Sequence, residues 1–434
     1  MREYKVSIER NGTQVLVGKI VGETYEDACF FYEKRYLGDV SAVPLSLSLP
    51  LQQEAYSAKQ TKTFFDGLLP EGFTRRSVAQ WMHLDENDYL AILCCLGREC
   101  LGAIRITDDE ESVEASYERI SEQQVRDLAA EGTTKSAELV TKSHLSLTGA
   151  SGKVGLYYDH ENGVWYLPRG SAPSTHIVKQ SHVRLDGIVT NEQLSLLTAQ
   201  KCGIEVPESF IINMGNGRDE DVLFATKRFD RTILDPTRRI SGLPCPMRLH
   251  QEDFAQALGI PAAKKYEEPG DKYLRRMFEL LRRHSADPIT DMLKLWDMVV
   301  FDFLIGNTDA HVKNFSLLYS PDMRRIRLAP AYDIVSTAVY SESTRDLSLA
   351  LGGEYSLDKI TETDFLIAAS DAGLGGKMAL NRLNQMCRMF CTALEEATDE
   401  LYQAGYVNVR KTAQAILERG GISRLSTGLH KGRV

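Results

Sequence analysis

Two polar residues in the segment from Gly306 to Phe315, GNTDAHVKNF, have the types and the spacing that phosphoryl transfer requires. Asp309 and Asn314 stand five positions apart, after a strongly apolar stretch. In such chemistry a carboxylate accepts or orients the proton of the attacking hydroxyl, and an amide oxygen a few residues later binds the magnesium ion on the phosphates. A solvated loop is the alternative interpretation of this segment taken alone.

A second carboxylate, Asp333, lies in LAPAYDIVST, after a predicted short strand at Ile326–Leu328. Taken alone, an aspartate in such a loop is usually a turn residue. Its position after Asp309 and Asn314 is more informative, because phosphotransferases use a further carboxylate to hold magnesium. The catalytic loop of eukaryotic kinases also has the same Asp-to-Asn offset. The order therefore predicts a magnesium site made of Asn314 and Asp333.

A candidate phosphate-binding loop lies at Ser146–Val154, SLTGASGKV, where small residues allow backbone N–H groups to approach phosphate oxygens. The segment is not a Walker A motif. Gly149 and Gly152 are separated by two residues, and Val154 follows Lys153 where that motif requires Ser or Thr. An ordinary tight turn is the alternative interpretation.

A lysine and a glutamate follow this loop in the order that a nucleotide site uses. Lys179 ends the predicted strand that starts at His176, and a strand lysine facing a nucleotide cleft can hold the α- and β-phosphates. Glu192 falls in the first turn of the following predicted helix, so chain order makes it a candidate ion-pair partner for Lys179. Most strand lysines simply face water, so Lys179 and Glu192 indicate a nucleotide site only together with the other motifs.

His311 indicates a different class of enzyme as an alternative. It stands two residues after Asp309, and Asp-x-His is a spacing with which metal hydrolases bring a carboxylate and an imidazole to one metal ion. Other histidines, such as His144, His176 and His182, form no further paired spacing that would complete such a site. A hydrogen-bonded loop histidine is the simpler interpretation.

The elements that must position these residues follow from the hydrophobic pattern. Alternating apolar residues on both sides of Asn11-Gly12 predict a β-hairpin at the amino end. Between Leu145 and Leu249 one helix, with Thr190 as its predicted cap, interrupts five β-like runs. These runs are VGLYYD, GVWYLP, THIVKQ, ESFIINM and DVLFATKRFD.

Beyond residue 250 the pattern is helical. Asp287-Pro288 begins a helix that must be deeply packed, and its carboxyl end leads directly into the Asp309 loop, so a rigid core element holds a polar loop. The last stretch, Arg410–Val434, is basic and predicts a mobile tail. The apolar residues of the helix are Ile289, Met292, Leu293, Trp296, Val299, Val300, Phe303 and Leu304.

Composition and charge limit the classes of protein. The chain has 434 residues, of which 43% are hydrophobic, and a net charge of −9. This acidity argues against a surface that binds nucleic acid or membranes non-specifically. No apolar run approaches the roughly 18 residues that span a bilayer, and the start lacks the apolar core of a signal peptide, so we expect a cytoplasmic protein. The eight cysteines form no CxxC pair, which predicts reduced, mostly buried thiols.

The ordered segments SLTGASGK, THIVK, TKRFDR, GNTDAHVKNF and PAYDIVS together resemble the HipA family, the serine/threonine kinase toxins of bacterial HipBA toxin–antitoxin modules. The similarity covers nearly the whole chain. FFDGLLPEG and CLGAIRI resemble that family's amino-terminal subdomain, and RLHQEDFAQALGIP with the adjoining KY resembles the start of its helical part.

The resemblance implies an α+β, protein kinase-like fold with a β-rich N-terminal subdomain and a mainly helical C-terminal subdomain. We expect a β-rich HipA-type subdomain at residues 1–110 and a nucleotide-binding region at residues 111–249. The helical region should occupy residues 250–434, with the basic tail from about residue 410.

Carried over by position, the resemblance makes Asp309 the catalytic carboxylate, Asn314 and Asp333 magnesium ligands, and Lys179 the phosphate-binding lysine. It also makes Ser146 a site of autophosphorylation that inactivates the kinase. The nucleotide-binding residues that it implies are Thr148, Gly149, Ala150, Ser151, Gly152, Lys153, Lys179, Lys227, Arg228, Phe229, His311, Val312, Lys313, Asn314, Tyr332 and Asp333.

Two positions depart from the family pattern. Ser151-Gly152 stands where family members often have Gln-Glu before the loop lysine, and Lys227 replaces an acidic residue of the adenine-facing hinge. The hinge extends from Lys227 to Phe229, and the resemblance implies that its backbone groups, rather than its side chains, recognise the base.

The resemblance also implies cofactors and partners. These are ATP and magnesium (Mg2+), a dimeric helix-turn-helix antitoxin (HipB-like) that binds operator DNA, and a translation-related protein substrate such as an aminoacyl-tRNA synthetase. Because the chain is acidic, we expect DNA contacts mainly through the antitoxin, and we expect no membrane partner. Two other hypotheses stay open: a catalytically quiet co-repressor in an antitoxin–DNA complex, and a metal-dependent hydrolase that uses Asp309 and His311.

Overall fold

The N-terminal region is a four-stranded antiparallel sheet with short helices beside it. A computed structural model of the protein describes residues 2–108, 114–131, 152–181, 185–235 and 237–429. The elements of this region are β1 Arg2–Arg10, β2 Thr13–Gly22, β3 Cys29–Tyr32, α1 Lys34–Leu37, α2 Ala58–Asp66, α3 Gly72–Trp81, α4 Tyr89–Leu96 and β4 Ile104–Thr107. The strand order is β3-β2-β1-β4.

The predicted N-terminal hairpin is confirmed. Strands β1 and β2 pair in antiparallel register through a turn at Asn11 and Gly12. These two residues have φ values of 49° and 76°, the left-handed conformation that a two-residue Asn-Gly turn requires.

A six-stranded antiparallel sheet follows and contains the five predicted strands. Its elements are β5 Ser116–Arg119, α5 Glu122–Glu131, β6 Lys153–Asp159, β7 Val164–Arg169, β8 His176–Gln180, α6 Ile188–Lys201, β9 Ser209–Asn213 and β10 Val222–Lys227. The strand order is β5-β7-β6-β8-β10-β9, and α6 packs against β9 and β10. The sixth strand, β5, is not among the strands that the sequence predicts.

The C-terminal part is mainly helical, as its pattern predicts, and the mixture of sheets and helices fits the α+β expectation. Its first elements are β11 Arg231–Thr232, β12 Arg239–Ile240, β13 Leu243–Pro244, β14 Met247–Arg248, β15 Gln251–Asp253, α7 Phe254–Leu258 and α8 Tyr273–His284. They are followed by α9 Pro288–Ile305, β16 Ser316–Tyr319, β17 Ile326–Leu328, β18 Asp346–Leu351, β19 Glu354–Ser356, α10 Glu362–Asp371, α11 Gly376–Gln403, α12 Val409–Arg419 and α13 Ile422–Leu429. The domain boundaries near residues 110 and 249 stay a prediction.

Helix α9 positions the candidate catalytic loop. Asp287 caps it by accepting a hydrogen bond from the backbone N–H of Thr290 at 3.3 Å, and Pro288 occupies the first helical position. Helices α8 and α11 pack against α9, and Trp296 is fully buried. Gly306, with a φ of 77°, ends the helix and turns the chain into the loop.

Three sequence expectations are wrong. Thr190 lies inside α6, which begins at Ile188 after the left-handed Gly187. Ile289 does not pack in the core, because it is 76% exposed in the first turn of α9. The segment from Arg410 is helical through residue 429, because α12 packs against α6 and α11 and supports α13.

The described helices include none long and apolar enough to cross a membrane. All eight cysteines are free, as their spacing predicts, and four of them are buried: Cys100, Cys202, Cys245 and Cys387.

A buried cluster of charges joins the N-terminal region to the segment after β10. Glu99 accepts hydrogen bonds from Arg231 Nη2 at 2.8 Å and from Arg248 Nε at 2.7 Å, and its Oε1 lies 3.4 Å from Arg228 Nη1. Asp230 accepts a 2.7 Å hydrogen bond from Arg228 Nη2. None of these five side chains is more than 3% exposed, so their charges must compensate one another.

Glu9 of β1 extends this cluster to the first sheet. Its carboxylate lies 3.2 Å from Arg248 and 2.8 Å from Arg238. Burial by itself would raise the pKa of Glu99, but the neighbouring arginines, Arg231 foremost, outweigh that effect and hold the pKa at about 2. The cluster therefore keeps Glu99 ionised and fixes the N-terminal region to the segment that follows β10.

We expect Glu99→Gln to lower the free energy of unfolding by about 3 kcal/mol, because buried arginines would lose a compensating charge. Chemical denaturation at neutral pH measures this loss. The control variant is Glu118→Gln, since Glu118 pairs with Arg169 at the surface and its loss should change stability by less than about 1 kcal/mol. Equal effects of the two substitutions would contradict the assigned role of the cluster.

The stabilisation by Glu99 also has a defined pH dependence. Its pKa is about 2 in the folded protein and has an ordinary value of 4.5. The contribution is therefore complete above pH 4.5 and is lost as the pH falls toward 2. The difference in the free energy of unfolding between wild type and Glu99→Gln should shrink over that interval. A constant difference would argue against the lowered pKa of Glu99.

Candidate active site

The Asp309 loop is tied to the core at the residues that precede Asp309. Asn307 donates from Nδ2 to the carboxylate of Asp302 on α9 at 2.8 Å. The backbone N–H and the hydroxyl of Thr308 each form a 2.7 Å hydrogen bond with the hydroxyl oxygen of Thr337. The loop is therefore held both to α9 and to the segment that follows β17.

Asp309 is exposed at the surface of the site. Its Oδ1 accepts a hydrogen bond from the Tyr266 hydroxyl at 2.9 Å, and its carbonyl oxygen accepts one from Asn314 Nδ2 at 3.0 Å. Although the residue as a whole is exposed, the protein around its carboxyl group reduces the hydration of that group and raises its pKa, and the Tyr266 hydrogen bond and the charge of Lys265 oppose that rise. The predicted base and the predicted amide ligand thus meet in one short loop.

Lys179 connects two carboxylates in the same site. Its Nζ lies 2.6 Å from Glu192 Oε1 and also contacts Asp333 Oδ1, which confirms the ion pair that chain order predicts. Burial would lower the pKa of Lys179, but the charges of Asp333 and Glu192 outweigh it and raise that pKa. Burial would raise the pKa of Asp333, but Lys179 and Lys153 outweigh it and lower that pKa. Both groups are therefore charged at neutral pH.

Helix α6 is linked to the Asp333 segment by a second contact beside the ion pair. Asn191 donates from Nδ2 to the carbonyl of Ser336 at 3.0 Å and accepts from its N–H at 3.1 Å. Asp333 has a φ of 58°, a left-handed conformation that costs a non-glycine residue about 1 kcal/mol or more. The contact of Lys179 with Asp333 and the contacts of Asn191 with Ser336 therefore support a backbone conformation of Asp333 that the isolated segment would disfavour.

The described end of the predicted phosphate loop lies beside β8. Lys153 is paired with Lys179 across β6 and β8, and burial lowers its pKa while Asp333 opposes the change. A Cβ atom added at Gly152 would stand 1.9 Å from Gln180 Nε2, so this position accepts no side chain unless Gln180 moves. The predicted residues that lie outside the described residues are Ser146, Thr148, Gly149, Ala150 and Ser151.

The predicted hinge brings an aromatic residue against the Asp333 segment. The backbone N–H of Lys227 donates to the carbonyl of Glu208 at 2.8 Å, and the Arg228 side chain enters the buried charge cluster. The rings of Phe229 and Tyr332 lie 5.6 Å apart, centroid to centroid, at an angle of 35°. Phe229 and Tyr332 are thus neighbours, whereas the Arg228 side chain lies in the buried charge cluster.

Three consecutive residues of the loop, from His311 to Lys313, are buried, and one of them contacts the N-terminal region. Lys313 Nζ lies 3.1 Å from Glu71 Oε1 and 3.5 Å from Asp253 Oδ2. Val312 is fully buried. Burial lowers the pKa of His311 to about 3, and its buried Nδ1 has no hydrogen-bond partner among the described residues. A nucleotide-binding role for these three residues stays a prediction.

The sequence gives no role to two residues that the structure places beside Asp309. Glu71, which precedes α3, lies 2.8 Å from Lys265 as well as 3.1 Å from Lys313. Burial would raise the pKa of Glu71, but these two lysines outweigh it and hold the pKa at about 2. Tyr266 is the second such residue. Both belong to segments that carry the family resemblance, LLPEG and KY, but neither segment reveals that it reaches this loop.

The donor groups around Asp309 and His311 do not resemble a transition-metal site. Among the described residues there is no group of three His, Cys, Asp or Glu side chains that could hold a metal ion. Asn314 and Asp333 instead offer an amide and a carboxylate oxygen, which are the hard donors that magnesium prefers. The metal-dependent hydrolase is therefore not the favoured interpretation.

Two named proteins are similar in sequence to this chain over most of its length. The protein Y4mE of Sinorhizobium fredii is 32% identical over 428 residues, which cover 95% of this chain and 97% of Y4mE. The serine/threonine-protein kinase toxin HipA of Shewanella oneidensis is 26% identical over 376 residues, which cover 82% of this chain and 81% of that protein.

A solved structure shares the fold. A chain in the toxin–antitoxin complex of HipA, HipB and operator DNA from Shewanella oneidensis superposes with a TM-score of 0.78 at 22% identity. The superposition covers 96% of this chain and 97% of that chain. The predicted protein kinase-like α+β fold is thereby confirmed.

Two domain families match the chain directly. The HipA N-terminal domain matches residues 12–107, and the HipA-like C-terminal domain matches residues 145–416. Because the second match alone spans more than half of the chain, and a relative of similar length is 32% identical, this chain belongs to the HipA family.

Proposed function

We propose that this chain is an ATP- and magnesium-dependent serine/threonine protein kinase that acts as the toxin of a toxin–antitoxin module. The observation that supports the proposal most directly is the arrangement around Lys179, which pairs with Glu192 of α6 and also contacts Asp333. A protein kinase requires a strand lysine held by a helix glutamate, together with a carboxylate for magnesium. Lys179 and Asp333 are both ionised, which suits a lysine that binds phosphates and a carboxylate that binds magnesium.

ATP with magnesium supplies the phosphoryl group, and the residues of the site position it. In this proposal Lys179 holds the α- and β-phosphates, and Asp333 and Asn314 provide oxygen atoms for the metal. Asp309 accepts the proton of the attacking serine or threonine hydroxyl. The buried Nδ1 of His311, which has no hydrogen-bond partner in the part of the chain that the structure describes, offers a further polar contact to bound nucleotide.

The adenine is assigned to the hinge side of the site. Backbone groups of Lys227–Phe229 would recognise the base, other than the N–H groups of Lys227 and Arg228, which already donate to the carbonyls of Glu208 and Thr175. The Arg228 side chain is engaged in the buried charge cluster. Tyr332 supports this side by its ring contact with Phe229 and by donating its hydroxyl hydrogen bond to the carbonyl of Lys313 at 2.9 Å. Gly152 and Lys153, with residues 148–151, would hold the phosphates.

The partners follow from family membership and from the named relatives. The similar Shewanella structure contains HipB and operator DNA, so we assign a HipB-like antitoxin dimer and operator DNA as partners of this chain. The net charge of −9 favours DNA contact mainly through the antitoxin. A translation-related protein, such as an aminoacyl-tRNA synthetase, is the proposed class of substrate.

Ser146 is the proposed site of self-inactivation. A phosphate there would add about −1.5 to −2 charge at neutral pH beside a loop that is assigned to the ATP phosphates. Like charges would repel, and the phosphoserine would compete for the same backbone donors. The modified form should therefore no longer bind nucleotide.

We expect Asp309→Asn to retain ATP binding and to lose phosphotransfer by at least about 10²-fold, because it removes the proton acceptor and leaves the phosphate contacts in place. Calorimetry measures the binding. Intact-mass analysis after incubation with magnesium and ATP measures transfer to the chain itself, which should gain one phosphate at Ser146 in wild type and none in the variant.

The control variant is Asp399→Asn, which changes an exposed aspartate on α11. It should transfer phosphate as wild type does. Transfer at the normal rate by Asp309→Asn would contradict the catalytic assignment. Binding of ATP without any transfer by wild type, to itself or to other proteins, would favour the catalytically quiet co-repressor instead.

We expect Asp333→Ala to weaken ATP binding roughly tenfold or more in the presence of magnesium, because the hard cation loses a carboxylate ligand. Titration calorimetry with and without magnesium separates the metal contribution from the loss of the Lys179 contact. Wild type and Asp399→Ala should bind ATP more tightly with magnesium. A full magnesium effect in Asp333→Ala would exclude Asp333 as a metal ligand.

A further inference from the structure

Tyr266 places a hydroxyl group directly on the candidate catalytic carboxylate. Its oxygen lies 2.9 Å from Asp309 Oδ1, and the two residues are 43 positions apart in the sequence. Among the described residues, Tyr266 is the side chain that donates a hydrogen bond to this carboxylate. The carboxylate of a general base has two oxygen atoms, and only one of them is engaged by this contact.

The backbone on both sides of Tyr266 is anchored. The carbonyl of Lys265 accepts a 3.4 Å hydrogen bond from the N–H of Val312, which is part of the Asp309 loop. The N–H of Glu267 donates to the carbonyl of Ser348 at 2.9 Å. The position of the Tyr266 backbone is therefore set by the loop itself and by β18.

The ring of Tyr266 is also held from two directions. It meets the ring of His311 edge to face, with centroids 5.4 Å apart and an angle of 78°. The ammonium group of Lys265 lies 5.2 Å from the ring centroid, and Glu71 of the N-terminal region binds that lysine at 2.8 Å. Although Tyr266 is 48% exposed, its hydroxyl is directed by these contacts to Asp309.

The direction of the hydrogen bond follows from the charges around it. Burial and the negative charge of Asp309 raise the pKa of Tyr266, so the phenol keeps its proton and acts as the donor. A donor fixed on Oδ1 restricts rotation of the carboxylate. The other oxygen, Oδ2, is then kept in one place, where a hydroxyl must lie about 2.6 to 3.2 Å away for proton transfer.

We propose that Tyr266 is a positioning residue for phosphotransfer, which holds one oxygen of the Asp309 carboxylate so that the other can accept the proton of the substrate hydroxyl. This inference rests on the proposed kinase function and deepens it. No new covalent step is involved. The oxygen of the substrate hydroxyl bonds to the γ-phosphorus of ATP while the bond from that phosphorus to the β,γ-bridging oxygen breaks and ADP leaves. The hydroxyl proton goes to Asp309, and Tyr266 keeps its own proton.

The test compares two deletions of a phenol hydroxyl from neighbouring parts of the chain. Tyr266→Phe removes the donor on Asp309. Tyr273→Phe is the matched control, because the Tyr273 hydroxyl donates to the carbonyl of Lys264 at 3.0 Å and not to the carboxylate. We expect Tyr266→Phe to lower kcat about tenfold and to leave the KM for ATP unchanged. A positioned general base accelerates a reaction by about 10²–10⁴-fold, and loss of its positioning should remove only a part of that acceleration. Tyr273→Phe should leave both kcat and KM unchanged.

A double-mutant cycle distinguishes positioning from a structural role. Single-turnover rates are measured for Asp309→Asn and for the same protein carrying Tyr266→Phe as well. If Tyr266 acts through the carboxylate, the second substitution has no further effect once the base is gone. An additive tenfold loss in that background would overturn the proposal, and so would loss of ATP affinity in Tyr266→Phe, because either result indicates a structural role.

Two further outcomes are also decisive. A kcat of Tyr266→Phe equal to that of wild type would overturn the proposal, and a higher kcat would do so by showing that the hydroxyl obstructs the substrate. Neither result contradicts the proposed kinase function. That function is contradicted only if Asp309→Asn transfers phosphate normally or if wild type transfers none. The two failures are therefore distinguishable in one set of measurements.

Discussion

The rest of the molecule depends on one constraint. Buried carboxylates and arginines of the N-terminal region, the hinge and the segment after it must neutralise one another's charges. Glu99 and Asp230 lie among three arginines that have almost no access to water. Each unpaired ion would cost several kcal/mol, so these segments can meet in only one arrangement. Phe229 lies in the chain between Arg228 and Asp230, two members of the cluster. The cluster therefore also fixes the aromatic residue that contacts Tyr332 in the candidate site.

A second set of ion pairs connects the N-terminal region to the candidate catalytic loop. Glu71 binds Lys265 and Lys313, so the N-terminal region holds both the segment that bears Tyr266 and the loop that bears Asp309. On the other side, Lys179 of β8 pairs with both Glu192 of α6 and Asp333, and Asn191 of α6 forms a hydrogen bond with Ser336. The candidate site is thus assembled from three regions of the chain, and each one is fixed to another by charged or hydrogen-bonded groups.

The elements that could be predicted from sequence are those with a local pattern. Alternation and turn residues predict the hairpin and five strands of the second sheet. The order of Asp309 and Asp333 after a buried helix predicts a phosphotransfer site, and the roles of these residues stay a prediction. The start of α6 could not be predicted, because the capping pattern at Thr190 competes with a left-handed Gly187. The role of Tyr266 could not be predicted either, because its partner is 43 residues away and no motif joins the two segments.

The most direct test of the central claim is transfer of a labelled γ-phosphate. The wild-type chain is incubated with γ-labelled ATP, magnesium and a bacterial lysate, and the labelled proteins and amino acids are identified. The account predicts label on serine or threonine of a small set of proteins other than the chain itself, and only with magnesium present. ATP bound in the site without label in any protein would contradict it.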